Sequence, residues 1–272
     1  SLKLFLAEPF ASRWRDSDPF EAAFSLTGEL FRDMGDRRTT RFECDGAAYF
    51  VKTHAGIGIG ELLKNLLYLR APVLGAENEY RAISRLAELG VETMTAVAFG
   101  RRGWNPANEK SFLITRALEP TLPLDEYCNP QVLSAMGVSE RRALVRRLAR
   151  ISRTLHDNGI NHRDYYLCHF LLDTSPAMDT VAVSKRPLYL IDLHRVQIRH
   201  RTPRRWRHKD LAALFYSARR VGFDERDVAC FLVEYKQQPL RTARDENRRL
   251  WRAVREDADQ LHRKGIRKGY HT

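Results

Sequence analysis

INHRDYYLCHFLLD, residues 160–173, sets two acids, two histidines, an arginine and a cysteine around an apolar run. Such groups are costly to bury without partners. A segment that gathers them is either a polar loop packed between a helix and a strand or the seat of a reaction. Upstream, SERRALVRRLARISRTLHDNG reads as a helix starting near Ser139. Leu144, Leu148, Ile151 and Leu155 form its buried stripe, and Gly159 is its stop. Apolar character returns at Phe170-Leu171-Leu172, so the polar stretch is a loop between a helix and a short strand. Farther on, PLYLIDLHR reads as a strand presenting Asp192 at its C-terminal end. An acid there is costly unless it meets a cation or accepts hydrogen bonds.

The N-terminal part has strand periodicity. Glu29 to Asp33, Thr39 to Glu43 and Ala48 to Thr53 are short β-friendly runs parted by turns at Met34-Gly35-Asp36 and Asp45-Gly46, which predicts an antiparallel assembly. A Gly-rich THAGIGIGE follows, then ELLKNLLYLRAPVL with helically spaced leucines up to Pro72. Packing on its own protein, or lying on a membrane with Lys64 and Arg70 near the headgroups, would suit that helix. A second helix is expected from Ala76 to Leu89, with Tyr80, Ile83, Leu86 and Ala87 on one face and Gly90 as C-cap. Strands near Thr95 to Phe99 and Ser111 to Thr115 flank the turn-rich RRGWNPANEK. Beyond Pro120 helices dominate, and the best break lies between Ala117 and Pro123.

The order of elements is specific: a strand lysine (Lys52 in YFVK), a helix glutamate (Glu79), a loop with His162-Arg163-Asp164, and a strand ending in Asp192. This resembles the protein-kinase-like phosphotransferases. The resemblance implies a bilobal α+β fold. Residues 1–118 would be an N-lobe of antiparallel sheet plus helix, and residues 119–272 a mainly helical C-lobe holding the catalytic loop and a basic, substrate-facing segment. It also implies roles. Lys52 holds nucleotide phosphates and is fixed by Glu79, with Glu77 as a rival for that partner. Asp164 accepts or orients the proton of the acceptor hydroxyl, and Asp192 binds Mg2+ bridging the phosphates of ATP. His162 and Arg163 brace the loop, and Asp210 in HKDLAALFYS props it from a C-lobe helix; an ordinary helix acid would look similar.

A closer resemblance lies in RRTTRFE, FVKTH, ELLKNLL, PVLGAENEY, VETMTAVAFG, INHRDYYLCHFLL, IDLHRVQIR and PRRWRHKDLAALFYSA. These are similar to stretches of the bacterial lipopolysaccharide core heptose(I) kinases, from about Glu8 to Leu240. The family implies ATP-dependent phosphorylation of an inner-core heptose of the lipid A-core precursor, by an enzyme peripheral to the cytoplasmic face of the inner membrane. The chain departs from protein kinases in several places. His169 stands where an asparagine would bind a second metal. Because Mg2+ prefers oxygen, contact with phosphate or a metal-bound water suits this histidine better than direct ligation. Tyr166 replaces a lysine, the metal motif reads Asp192-Leu193-His194, and the first hairpin lacks a G-x-G-x-x-G. Its MGDRRTTR turn leaves Gly35 alone, with Arg37 or Arg38 over the phosphates or merely at an exposed tip.

Only 18 positions separate Asp192 from Asp210, too few for a long regulatory loop, so protein substrates lose ground. Between them, RHRTPRRWRHK holds six basic residues in eleven. Its Arg204, Arg205 and Arg207 are candidates for binding an anionic glycolipid by guanidinium forks. Over the chain, 46 Lys and Arg against 34 Asp and Glu give a net charge of +12, which favours anionic partners. An acidic protein such as acyl carrier protein accords with that charge. A lone tryptophan makes no stacking platform, and no specific nucleic acid is expected. Four scattered cysteines give neither a zinc pattern nor a disulfide framework, and no run of about 18 apolar residues occurs, so a soluble or peripheral cytoplasmic protein is expected. Two alternatives stay open: a kinase of another small molecule or of a protein, and a pseudokinase-like binder of anionic lipid or acidic protein. Retention of Lys52, Glu79, Asp164 and Asp192 argues against the binder.

Overall fold

A computed structural model describes residues 2–33, 37–55, 76–103 and 109–267. The Met34-Gly35-Asp36 turn, most of THAGIGIGE, the ELLKNLLYLRAPVL helix and the centre of RRGWNPANEK lie outside the described residues. The described residues divide between two units. One takes residues 1–88, 93–118 and 193–195, the other residues 89–92, 119–192 and 196–272.

In the first unit β1 (Leu2–Leu6), β2 (Glu29–Asp33), β3 (Arg37–Cys44), β4 (Ala47–His54), β5 (Ala96–Arg102) and β6 (Lys110–Arg116) form one antiparallel sheet in the order β1-β5-β6-β4-β3-β2. Two short helices, α1 (Phe10–Arg13) and α2 (Pro19–Ser25), cover one face. Asp18 starts α2 by accepting the Phe20 N–H at 2.8 Å, ahead of Pro19 at a position where a missing N–H is harmless. Phe10, Trp14 and Phe20 from this layer pack on Phe42, Tyr49, Val51, Phe112 and Ile114 of the sheet. Each such aromatic contributes about 1.5–3 kcal/mol by leaving water. Side chains alternate along a strand, so burying Tyr49 and Val51 on this face sends Lys52 and its neighbour Leu113 to the other.

That other face is met by α3 (Glu77–Glu88), whose Tyr80 ring stacks on Phe99 at 4.3 Å between centroids. The expected stripe is turned. Ile83 and Leu86 are buried, but Ala87 is exposed and Ala82 is inside with Glu79. Positions 79, 82, 83 and 86 follow the i, i+3, i+4, i+7 rule, and the helix adopts this rotation because Glu79 finds Lys52.

The second unit begins with β7 (Thr121–Pro123), α4 (Leu124–Tyr127), α5 (Pro130–Ala135) and the long α6 (Val138–Asp157). Then come β8 (Ile160–Asn161), β9 (Phe170–Asp173), β10 (Leu188–Leu190) and β11 (Gln197–Ile198), followed by α7 (Arg204–Val221), α8 (Glu225–Lys236), α9 (Leu240–Glu246) and α10 (Arg248–Arg267). Its strands make two small antiparallel sheets, β10-β9-β7 and β11-β8. Ala149, Leu211, Phe215, Tyr235, Val254 and Ala258 unite α6, α7, α8 and α10 in one apolar core. Gly159 ends α6 with φ of 78°, and a Cβ there would lie 1.7 Å from the Arg199 carbonyl oxygen. Only glycine lets β8 turn so closely onto β11. No described helix is long and apolar enough to cross a membrane.

Candidate active site

In the first unit the Lys52 Nζ donates to Glu79 Oε1 at 2.6 Å, and the Glu79 side chain is 3% exposed. A carboxylate so deeply placed requires a cation. Glu77, two positions away, points elsewhere: it pairs with Arg101 and with Lys3, the latter at 2.5 Å. Arg101 also binds Glu109 at 2.6 Å. Arg37 lies opposite His54 and Thr39 opposite Lys52 in the β3–β4 ladder, so strand alternation gives Arg37, not Arg38, the sheet face of Lys52. Burial first, then electrostatic repulsion from the neighbouring Arg37, Lys52 and His194 side chains, pushes the His54 imidazole down to about 4. Asn78 donates to the His194 carbonyl at 3.0 Å, tying α3 to the turn that follows Asp192.

In the second unit the catalytic-loop motif rests on Asp210. Its carboxylate is buried inside α7, where Oδ2 accepts the His162 N–H at 2.7 Å and Oδ1 the Arg163 N–H at 2.8 Å. Arg163 has φ of 76°, a conformation a non-glycine residue adopts at a cost of about 1–2 kcal/mol. Two charge-assisted hydrogen bonds offset that strain. The buried His162 donates from Nε2 to the Ile191 carbonyl at 2.9 Å, and burial holds its pKa below the usual histidine range, so it acts as a neutral brace. The Ile191 N–H in turn donates to the His169 carbonyl at 2.9 Å. The residue before Asp192 is thus clamped on both sides, and Asp192 itself takes φ of 61°.

His169 joins the two acids. Its Nδ1 donates to the Asp164 carbonyl at 2.6 Å while Nε2 stands 3.5 Å from Asp192 Oδ2. Burial alone would push this imidazole down. Hydrogen bonds with Cys168 and the Asp164 carbonyl, with the Asp192 charge, outweigh it and lift the pKa to about 9. The protonated form of His169 is thus favoured beside the Asp192 carboxylate. The Asp164 carbonyl also accepts the Tyr166 N–H at 3.0 Å, so the backbone of the proposed base is held twice.

Several supports carry no motif. Fully buried His156 reaches Tyr235 through Nδ1 at 2.8 Å and Asp210 through Nε2 at 3.4 Å. The Tyr165 hydroxyl donates to Ser152 Oγ at 2.9 Å, since that serine spends its own proton on the Leu148 carbonyl at 2.7 Å. Ser217 accepts the Leu167 N–H at 3.0 Å. The spacing 148, 152, 156 within the α6 stripe was the signal available for Ser152 and His156. Of the three arginines expected on the glycolipid, Arg207 is occupied by the fold. It donates to the His156 carbonyl at 2.8 Å and pairs with Asp157 at 3.2 Å. Arg204 and Arg205 are exposed and, among the described residues, have no carboxylate partner.

A lysine–glutamate pair between sheet and helix, and an Asp164 loop locked onto a helix aspartate and onto the backbone before Asp192, define a phosphotransferase of protein-kinase-like fold. Residues 21–235 match the lipopolysaccharide kinase (Kdo/WaaP) family. The chain is 45% identical over 268 residues to the lipopolysaccharide core heptose(I) kinase WaaP of Pseudomonas aeruginosa, covering 98% of this chain and 99% of the relative. To the Escherichia coli protein of the same name it is 44% identical over 265 residues, covering 97% and 98%. A solved structure of WaaP in complex with acyl carrier protein superposes with a TM-score of 0.81 at 42% identity, over 95% of this chain and 99% of that one. The chain belongs to the lipopolysaccharide kinase (Kdo/WaaP) family, and as a kinase it uses ATP.

Proposed function

We propose that this chain transfers the γ-phosphate of ATP to a heptose hydroxyl of the lipopolysaccharide inner core, at the cytoplasmic face of the inner membrane. The observation that carries the reading is the Asp164–His169–Asp192 linkage, in a chain 44–45% identical to relatives named as heptose(I) kinases. Phosphoryl transfer needs positioning and charge neutralisation more than covalent chemistry. Lys52, held by Glu79, supplies a fixed cation for nucleotide phosphates. Asp164 orients the acceptor hydroxyl and takes its proton. His169, hydrogen-bonded through Nδ1 to the Asp164 backbone, offers its Nε2 as a donor for phosphate.

The Asp192 carboxylate is one-third exposed, and as a hard oxygen donor it fits Mg2+, which takes few protein ligands and completes its shell with phosphates and water. When bound, that ion neutralises charge developing on the transferred group. The acidic-protein reading is also retained: a net charge of +12 and a family neighbour solved with acyl carrier protein support a carrier protein as partner.

The test is transfer of label from ATP to purified unphosphorylated lipid A-core, with and without Mg2+. Asp164→Ala and Asp192→Ala should each lower the rate about a hundredfold or more while leaving the fold intact. Wild-type protein that binds the lipid without phosphorylating it would overturn the enzyme; variants as active as wild type would overturn the assignment of the two acids.

A further inference from the structure

One face of the six-stranded sheet gathers basic side chains around His54. Along β4, Lys52 and His54 are two positions apart, so they point the same way at a spacing of about 7 Å. Across the ladder Arg37 stands directly opposite His54, about 5 Å away between Cα atoms. His194, in the turn whose carbonyl Asn78 holds, completes the group. Like charges set opposite each other on a sheet are destabilising. The fold accepts the arrangement by keeping His54 neutral, since burial and then the repulsion of Arg37, Lys52 and His194 hold its imidazole at about 4.

The other elements around His54 bring it no acid of its own. Glu79 of α3 reaches the group through Lys52, at 2.6 Å. On β6 the residue opposite His54 is Ser111, whose oxygen accepts the Ala76 N–H at 3.0 Å. Among the described residues the half-buried His54 ring has no hydrogen bond. An apolar side chain would fill the place with less strain, because a covered polar group without a partner is costly. An anion bearing several charges removes both costs at once: it gives the ring an acceptor and screens the cations from one another. Lys52 says which anion, for it is the cation proposed for nucleotide phosphates. The first hairpin also lacks the glycine-rich loop that would surround them with backbone N–H groups, and this face offers side-chain donors in its stead.

We infer that His54 is a further phosphate-binding residue, which with Arg37 and Lys52 holds the terminal phosphates of the nucleotide and takes up a proton as they bind; the inference rests on the kinase reading above. The proton comes from solvent, and the ring then has two N–H donors in place of one. An opposite charge within about 4–6 Å raises the pKa of a histidine by about 1–3, so the several charges of a triphosphate can lift His54 from about 4 to about 7. With those two values, binding at pH 6 is favoured about tenfold over binding at pH 8.

The experiment compares wild type with His54→Asn, which keeps a donor and cannot take the proton, after their thermal midpoints at pH 7.5 are shown to agree; His54→Gln replaces it should the midpoint fall. Calorimetric titration with Mg2+-ATP, in buffers of high and of low ionisation enthalpy, counts protons. Wild type should take up about 0.9 proton per nucleotide more than the variant at pH 6, and about 0.1 more at pH 8. In steady-state kinetics the ratio of variant to wild-type KM for ATP should widen about tenfold from pH 8 to pH 6, while the acceptor KM stays the same at each pH. Equal proton uptake in the two proteins, or a KM ratio that ignores pH, overturns the role of His54; the kinase reading then stands if wild type transfers label. Inorganic tripolyphosphate separates the two ideas from the other side. If wild type binds it with uptake that the variant lacks, yet transfers no phosphate from ATP, the kinase reading ends and the anion site at His54 remains; if wild type binds neither ATP nor tripolyphosphate, both fall.

Discussion

Glu79 and Glu77 sit two positions apart on α3, and a helix turns them about 200° from each other, so only one faces the sheet. Glu79 keeps Lys52 at 2.6 Å with its own side chain 3% exposed, while Glu77 is shared between Lys3 and Arg101. Glu79→Gln keeps the shape and removes the charge. Lys52 is one-quarter exposed and recovers some hydration, so the loss of stability should be about 1–3 kcal/mol, below that of a fully buried pair. Transfer should fall about a hundredfold in kcat/KM for ATP, because the lysine is no longer held. Glu77→Gln should stay within about threefold of wild type, since Arg101 retains Glu109. Steady-state kinetics with a urea midpoint for each variant separates the two; equal losses would reject the assignment of Glu79. In the sequence this choice rested on a motif alignment, because the true stripe includes Ala82 in place of Ala87 and reveals itself only once the Lys52 partner is known.

At the scale of elements, strands with turn chemistry between them were legible, and those without it were not. The β2–β3–β4 hairpins carry alternation and Gly or Asp at their turns. β1 was not anticipated. Its Leu2, Leu4 and Phe5 are exposed and its partner β5 is about ninety positions away, so neither a buried periodicity nor a local turn announced it. The same holds for the Tyr235–His156–Asp210 chain, whose members come from three helices. The β4 strand makes its own prediction through His54. Its folded pKa is about 4 against an ordinary 6.5, so the unfolded chain binds the proton more readily. Stability from this site is fully present above pH 6.5 and is lost as pH falls toward 4. By pH 5 the loss should be about 2 kcal/mol. Urea midpoints of wild type and His54→Asn at pH 7.5 and pH 5 provide the check: the variant should lose less than wild type, and identical pH dependence would remove His54 as the cause.

For the molecule as a whole, charge does what no single motif announces. The chain carries a surplus of twelve positive charges, and although many of its basic residues are paired, Arg141 with Asp227, Arg147 with Glu92, Arg102 with Asp18, such pairs leave that surplus unchanged. Arg204, Arg205 and Lys209 are exposed without such partners among the described residues, so they remain available to an anionic surface. A basic residue held near an anionic leaflet contributes about 1 kcal/mol, and three of them together supply about a hundredfold in partition. The attraction is exposed to solvent and decays over a screening length that shrinks from about 10 Å at 0.1 M salt to about 3 Å at 1 M. Membrane association should therefore be strong on phosphatidylglycerol vesicles at low salt, weak on phosphatidylcholine vesicles, and reduced at least tenfold between 0.1 and 1 M salt. Vesicle co-sedimentation measures all three. Binding that ignores both lipid charge and salt would mean that apolar insertion, not the basic surface, brings the enzyme to its substrate; the Arg205→Ala/Lys209→Ala variant would then sediment like wild type.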